Sequence, residues 1–347
     1  MKKRQFMSVV FATILSAVAF LTACGGGGGG GGGTTDVTTS TPTTTTPVPA
    51  TQTGPKAAMY QYIDSFRANG GFGSLTSDGR VENAAQAHSN YLTTNFYANG
   101  VPDPILFTLT SAGLPFAHYE EATRPGFTGA VPDDRLRAAG YVPTRSSEVS
   151  GSQFGAAAGA DPDTKGCVDQ LIGTVFHRAA LLDTTMDSIG VGIGSAVRDG
   201  NGFLLRNCVI NLASQSAVRV LPSGWIGITP YAGQIGIATK MSPEVPDPTP
   251  TIAVEGYPIS IQIAPEFSLA VDTFSVSDGS GSQVPGLVVT RAQSTLLRAN
   301  EAYFVPNGAL RPNTTYTVSF AGRASPVQGA AGAWVPIKTW TFTTGAQ

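Results

Sequence analysis

The stretch IGVGIGSAVRDGNGFLLRNCVINLA (Ile189–Ala213) reads as two strands and the turn between them. Ile189–Gly194 and Phe203–Ala213 are apolar and short, and Arg198-Asp199-Gly200-Asn201-Gly202 holds Asp-Gly and Asn-Gly pairs, the dipeptides that close antiparallel hairpins. The glycines at 190, 192 and 194 suggest a phosphate loop at first sight, but no helical pattern follows them. They are read instead as positions where a strand packs closely on its neighbour. Upstream the period changes to that of helices. Met59, Ile63 and Phe66 recur at helical spacing and Gly70-Gly71 stop them; Val81, Ala84, Ala85, His88, Tyr91 and Leu92 line one face of a second helix. A third starts at Pro132-Asp133-Asp134 and ends at Gly140, with proline and acids in its first turn. A fourth runs from about Thr164 to Phe176, with Val168, Leu171, Ile172 and Val175 on its apolar side. Helices packed on a mostly antiparallel sheet give an α+β domain.

Downstream the chain changes character at Ser242–Pro250, a proline-rich run that continues neither a helix nor a central strand. Beyond it the period is two. Ile259, Ile261 and Ile263 alternate with polar neighbours, as do Tyr316, Val318 and Phe320, and then Trp340 and Phe342. Turn residues intervene at Asp278-Gly279, Pro306-Asn307-Gly308 and Pro312-Asn313, a pattern that suits a β-sandwich. The expected boundaries are therefore an α+β domain over 55–241, a linker over 242–250 and an all-β domain over 251–347.

The start of the chain has the order of an export signal: Lys2, Lys3 and Arg4, an apolar run Phe6–Phe20, then Leu21-Thr22-Ala23-Cys24. The apolar run is shorter than the roughly 20 residues that span a bilayer. Leu-Thr-Ala-Cys resembles the bacterial lipobox, which implies removal of residues 1–23, lipidation of Cys24 and a membrane anchor. An ordinary signal peptide with an incidental Cys24 is the alternative. Gly25 follows the cysteine, and the absence of aspartate there implies the outer membrane or cell surface rather than inner-membrane retention. Residues 24–54, nine glycines followed by a Thr/Pro tract, read as a flexible tether with no fold of its own. A net charge of −2, with no basic run beyond the first residues, argues against nucleic acid as a partner.

In the first domain, His118-Tyr119-Glu120, Phe127-Thr128-Gly129, Pro132 with Arg135, and Ala139-Gly140-Tyr141 follow one another in order. Ser147-Glu148-Val149, Val168-Asp169, His177-Arg178 and Ile189-Gly190-Val191-Gly192 continue the series. This ordered set resembles a bacterial CAP domain, the superfamily of cysteine-rich secretory, antigen 5 and pathogenesis-related proteins. The resemblance implies an α-β-α sandwich with a cleft lined by histidines and acids, here His118, Glu148 and His177. Four positions depart from the family pattern: Ser147 and Val149 flank Glu148, Leu171 stands where tryptophan is common, and Thr174 stands where many eukaryotic relatives carry a second glutamate. Leu310–Val318 and Trp340–Gly345 resemble bacterial Ig-like domains, modules that act as spacers or binding surfaces.

Two neutral imidazoles and one carboxylate suit a divalent metal such as zinc, with His118, Glu148 and His177 as ligands and a position left for water. The other reading is a polar cleft in which the histidines hydrogen-bond to backbone and water. His88, on an apolar helix face, is read as a satisfied core histidine, and Glu120-Glu121 as a solvated loop. Cys167 and Cys208, in an oxidising compartment, pair as a disulfide or remain buried thiols; a bridge closing about 40 residues contributes roughly 4 kcal/mol. No Gly-x-Ser-x-Gly elbow is present. Two functions follow: a lipid-anchored surface protein that binds a lipid, an envelope component or a protein, or a metal-assisted hydrolase of peptides or envelope polymers.

Overall fold

The computed structural model describes residues 54–97, 99–327 and 332–346. The expected signal, Cys24 and the tether up to Thr53 lie outside the described residues. The first domain comprises α1 (Gly54–Gly70), β1 (Thr76–Ser77), α2 (Gly79–Phe96), α3 (Pro132–Ala138), β2 (Arg145–Phe154), α4 (Thr164–Ile172), α5 (Phe176–Leu181), β3 (Ser188–Ile193), β4 (Val197–Arg198) and β5 (Leu204–Ser214). Strand β5 is the axis of the sheet. It runs antiparallel to β3 on one side and to β2 on the other, in the order β1-β3-β5-β2, with β4 paired to its first residues.

The two-residue period of β5 makes the three layers. Cys208, Ile210 and Leu212 pack with Met59, Ile63 and Phe66 of α1 and with Val168, Leu171 and Ile172 of α4. Leu205 and Val209 point the other way, into a cluster with Ala85, Tyr91 and Leu92 of α2, while Ala213 meets Val81, Ala84 and Leu136. Close approach of α2 to the sheet depends on the glycines of β3. A Cβ on Gly190 would lie 2.2 Å from the backbone of Val81 and Glu82, and one on Gly192 would lie 2.2 Å from the Ala85 carbonyl. The glycines are packing positions, as expected. A disulfide between Cys167 and Cys208 joins α4 to β5, with Cα atoms 6.7 Å apart.

The expected fourth helix is two. It stops at Gly173 and resumes at Phe176, because Thr174 donates from both its backbone N–H and its hydroxyl to the Leu171 carbonyl and the next N–H groups turn to a carboxylate from elsewhere in the chain.

The second domain is a β-sandwich of β6 (Ile226–Thr229), β7 (Gln234–Ile237), β8 (Ile259–Ile263), β9 (Phe267–Asp278), β10 (Gly286–Thr290), β11 (Glu301–Pro306), β12 (Thr315–Pro326) and β13 (Ile337–Thr344). One sheet has the order β10-β11-β8-β6, the other β7-β13-β12-β9. Ile259, Ile261, Ile263 and Phe304 face Val276, Val318, Phe320, Trp340 and Phe342 across the core. One expectation is corrected here. Strands β6 and β7 precede the expected boundary at Met241, yet they pair with β8 and β13 of the second domain. The proline-rich run after Met241 is thus a loop within that domain's pairing, not a spacer ahead of it.

The polar residues of β8 are enclosed as well. Ser260 and Gln262 are as buried as the isoleucines between them, and all of β11 is buried. Their face of the sheet meets the first domain: Tyr303, Val305, Val289, Leu297, Ile252 and Met241 pack against Val175 and Ala179 beside and on α5. Arg298 clamps the junction, reaching the Asp183 carboxylate at 2.5 Å and the Ala179 carbonyl at 2.6 Å. From the other side Arg178, fully buried, donates to the Pro258 carbonyl at 2.5 Å. Helix α5 is therefore held by both domains.

Candidate functional site

A cleft of about 320 Å³ opens where β2, α4, α5, the Phe116–His118 turn and the Ser242–Val245 segment meet. Its walls include Tyr97, Leu106, Phe107, Phe154, Leu171 and Val245, and its polar end holds His118 and His177. Two of the expected residues thus come together: the imidazole centroids are 6.3 Å apart and the rings are inclined by 43°. Each side chain keeps a little surface, 18% for His118 and 17% for His177.

Behind His118 lies a closed ionic layer. The Glu148 carboxylate accepts from His118 Nδ1 at 3.0 Å and from Arg135 Nη2 at 2.7 Å through the same oxygen, Oε1. Arg135, from α3, also donates to the carbonyls of His118 and Gly129, so one guanidinium fixes both the carboxylate and the turn that carries the imidazole. His88 completes the layer. Its Nδ1 lies 2.9 Å from Glu120, its Nε2 lies 2.9 Å from the Ala117 carbonyl, and the residue is closed to solvent, as a satisfied core histidine should be. Glu120 is a correction: it is completely buried, not solvated, accepting from His88 and from the backbone N–H groups of Thr128 and Gly129. Only Glu121 behaves as expected, half-exposed and paired with Arg124.

His177 is held differently. Its Nδ1 lies 2.7 Å from Oε1 of Glu244, whose side chain is only 1% exposed. The same carboxylate accepts from the backbone N–H groups of Val175, Phe176 and His177 at 2.8–3.0 Å, satisfying the first turn of α5. Sequence reasoning placed Glu244 in a linker and missed it. A lone acid between two prolines, 67 residues from its partner, offers no local pattern.

The electrostatics follow from these partners. Burial pushes the His118 imidazole below the usual histidine range, although its bond to Glu148 pulls the other way. Burial alone would raise Glu148, but Arg135, His88 and His118 together hold it well below the usual carboxylate range. Glu244 is likewise depressed: the His177 bond and the backbone donors of α5 outweigh its burial. An ionised carboxylate only accepts, so each ring carries its proton on Nδ1 and, when neutral, presents Nε2 as an acceptor.

The expected zinc set, His118, Glu148 and His177, does not fit this geometry. Glu148 Oε1 is taken by His118 and Arg135, and Oε2 is buried without surface, so neither oxygen reaches the cleft. Among the described residues no three His, Cys, Asp or Glu side chains are grouped to hold a metal ion. Glu148 orients a histidine instead of sharing a ligand with it.

An α-β-α sandwich with a paired-histidine cleft, joined to a β-sandwich, defines a two-domain class of protein. Residues 60–210 match the cysteine-rich secretory protein family and residues 239–344 match a bacterial Ig-like domain: the chain carries a CAP domain followed by a bacterial Ig-like domain. Among solved structures, an outer surface protein from Borrelia burgdorferi is similar over 45% of this chain and 91% of its own, at 16% identity and a TM-score of 0.30. No curated protein matches the chain.

Proposed function

We propose that this chain is a bacterial surface protein, anchored through lipid on Cys24, whose CAP cleft binds an amphipathic ligand. The observation that carries the binding role is the contrast within one cleft. Tyr97, Leu106, Phe107, Phe154, Leu171 and Val245 supply apolar walls, and two imidazoles with Nδ1 already bound supply Nε2 acceptors at one end. Such an end suits a hydroxyl or amide N–H on an otherwise apolar molecule, which makes a lipid with a neutral hydroxyl head the best match. The export signal, the Cys24 motif and the Ig-like domain support display at the cell surface.

Fluorescence displacement with a labelled long-chain alcohol tests the cleft. Saturable binding to the full chain, weakened at least tenfold in His118→Ala and His177→Ala, is expected. Binding indifferent to both substitutions would remove the cleft from the account. Metabolic labelling with a palmitate analogue tests the anchor, with incorporation expected in the parent chain and lost in Cys24→Ser.

A further inference from the structure

We infer that Glu244 is a positioning residue of the cleft, and that the Ig-like domain is therefore a structural part of the binding site, not a spacer behind it. Glu244 lies within the Ig-like match, and its carboxylate sits against Nδ1 of a histidine of the CAP domain. Among the described residues, the carboxylate paired with His177 is Glu244, and no ion pair joins this ring to an acid of the first domain. The first domain does bring the Thr174 hydroxyl to 3.3 Å from Nδ1, but that hydroxyl already donates to the Leu171 carbonyl. A bond of 2.7 Å to a buried, ionised acceptor sets the ring's proton far more firmly than a long contact to a hydroxyl.

The rest of the junction points the same way. Glu244 takes up the N–H groups that begin α5, Ser242 donates from its backbone to the Gly173 carbonyl that ends α4, and Ser242–Val245 form one wall of the cleft. Val175 and Ala179 lean on the second domain's apolar residues, while Leu181 of the same helix lies in the first domain's core. His177 thus stands on a helix whose start, outer face and ring orientation all come from the Ig-like domain. His118, by contrast, is oriented by Glu148 and Arg135 of its own domain. The two imidazoles of one cleft answer to different domains.

Nitrogen-detected NMR of the full chain reads this directly, since the sequence has three histidines. His177 is expected in the Nδ1–H form in the parent chain, retained in Glu244→Gln, whose amide oxygen still accepts, and shifted toward Nε2–H in Glu244→Ala, with His118 unchanged in all three. An Nε2–H His177 in the parent chain overturns the inference even if the alanine variant does not fold, and so does an Nδ1–H His177 that persists in Glu244→Ala. The affinity arm rests on the proposed ligand reading: long-chain alcohol binding should fall at least fivefold in Glu244→Ala and less in Glu244→Gln. The tautomer needs no ligand, so a failed binding assay with the expected tautomers would sink the ligand and leave the positioning role, whereas the reverse result would sink the positioning role alone.

Discussion

Arg135 Nη2 lies 2.7 Å from Glu148 Oε1, and both side chains are shut off from solvent beneath the His118 ring. The pair is also the support of the cleft's first imidazole. Replacing Arg135 by methionine keeps much of the volume but leaves Glu148 buried without its guanidinium. Removing one partner of a buried pair costs about 3–5 kcal/mol. Urea unfolding of Arg135→Met should show a loss of that order, and a loss under 1 kcal/mol would mean the layer is not ionic.

Stability should fall with acid in two stages. His118, Glu148 and Glu244 all have folded-state pKa values below their ordinary ones, so in each case the unfolded chain binds protons first. The stability they contribute is complete above the unfolded pKa and is lost as pH falls toward the folded one. For His118 that loss begins below about 6.5, and for the carboxylates below about 4.3. Urea midpoints from pH 8 to 3 should decline accordingly, with the upper stage absent in His118→Asn. A midpoint that rises on going from pH 7 to 5 would contradict the assignment.

The Cys167–Cys208 bridge ties α4, which leads into the cleft, to the central strand, across a sequence separation of 41. A loop of that size contributes about 4 kcal/mol on the chain-entropy account. Cys167→Ser with Cys208→Ser should lower the unfolding free energy by about 2–5 kcal/mol. Added reductant should destabilise the parent chain but not the double variant.

The cleft's apolar rim can be separated from its fold. Phe107 and Phe154 line the opening yet remain 57% and 42% exposed, more surface than packing alone requires. Phe107→Ser and Phe154→Ser should leave stability within about 0.5 kcal/mol while weakening long-chain alcohol binding severalfold. Loss of fold with loss of binding would place these rings in the core instead.

Much of this was legible in the chain. The hairpin around Asp199–Gly202, the helical stripes before it and the close-packing glycines of β3 are local patterns, and the order of motifs brought His118, Glu148 and His177 to one region. What escaped was set by contacts between distant segments. Ser260 and Gln262 alternate with isoleucine as a solvated sheet face does, but that face is covered by α5 and the polar groups are met by Arg178 and Glu301. Glu120-Glu121 looks like any acidic loop until His88 and the Thr128–Gly129 backbone close over its first member. Proline spacing marks Ser242–Pro250 as irregular backbone, and irregular backbone reads as linker; only the fold shows that it presses Glu244 into another domain's helix.

The central claim is that His118 and His177 together meet the ligand. The most direct measurement follows the three histidine ring signals while the full chain is titrated with a long-chain alcohol. The account predicts that His118 and His177 move together and saturate with the binding curve, while His88, sealed in the ionic layer, stays in place. Saturation with both cleft histidines unmoved would contradict it.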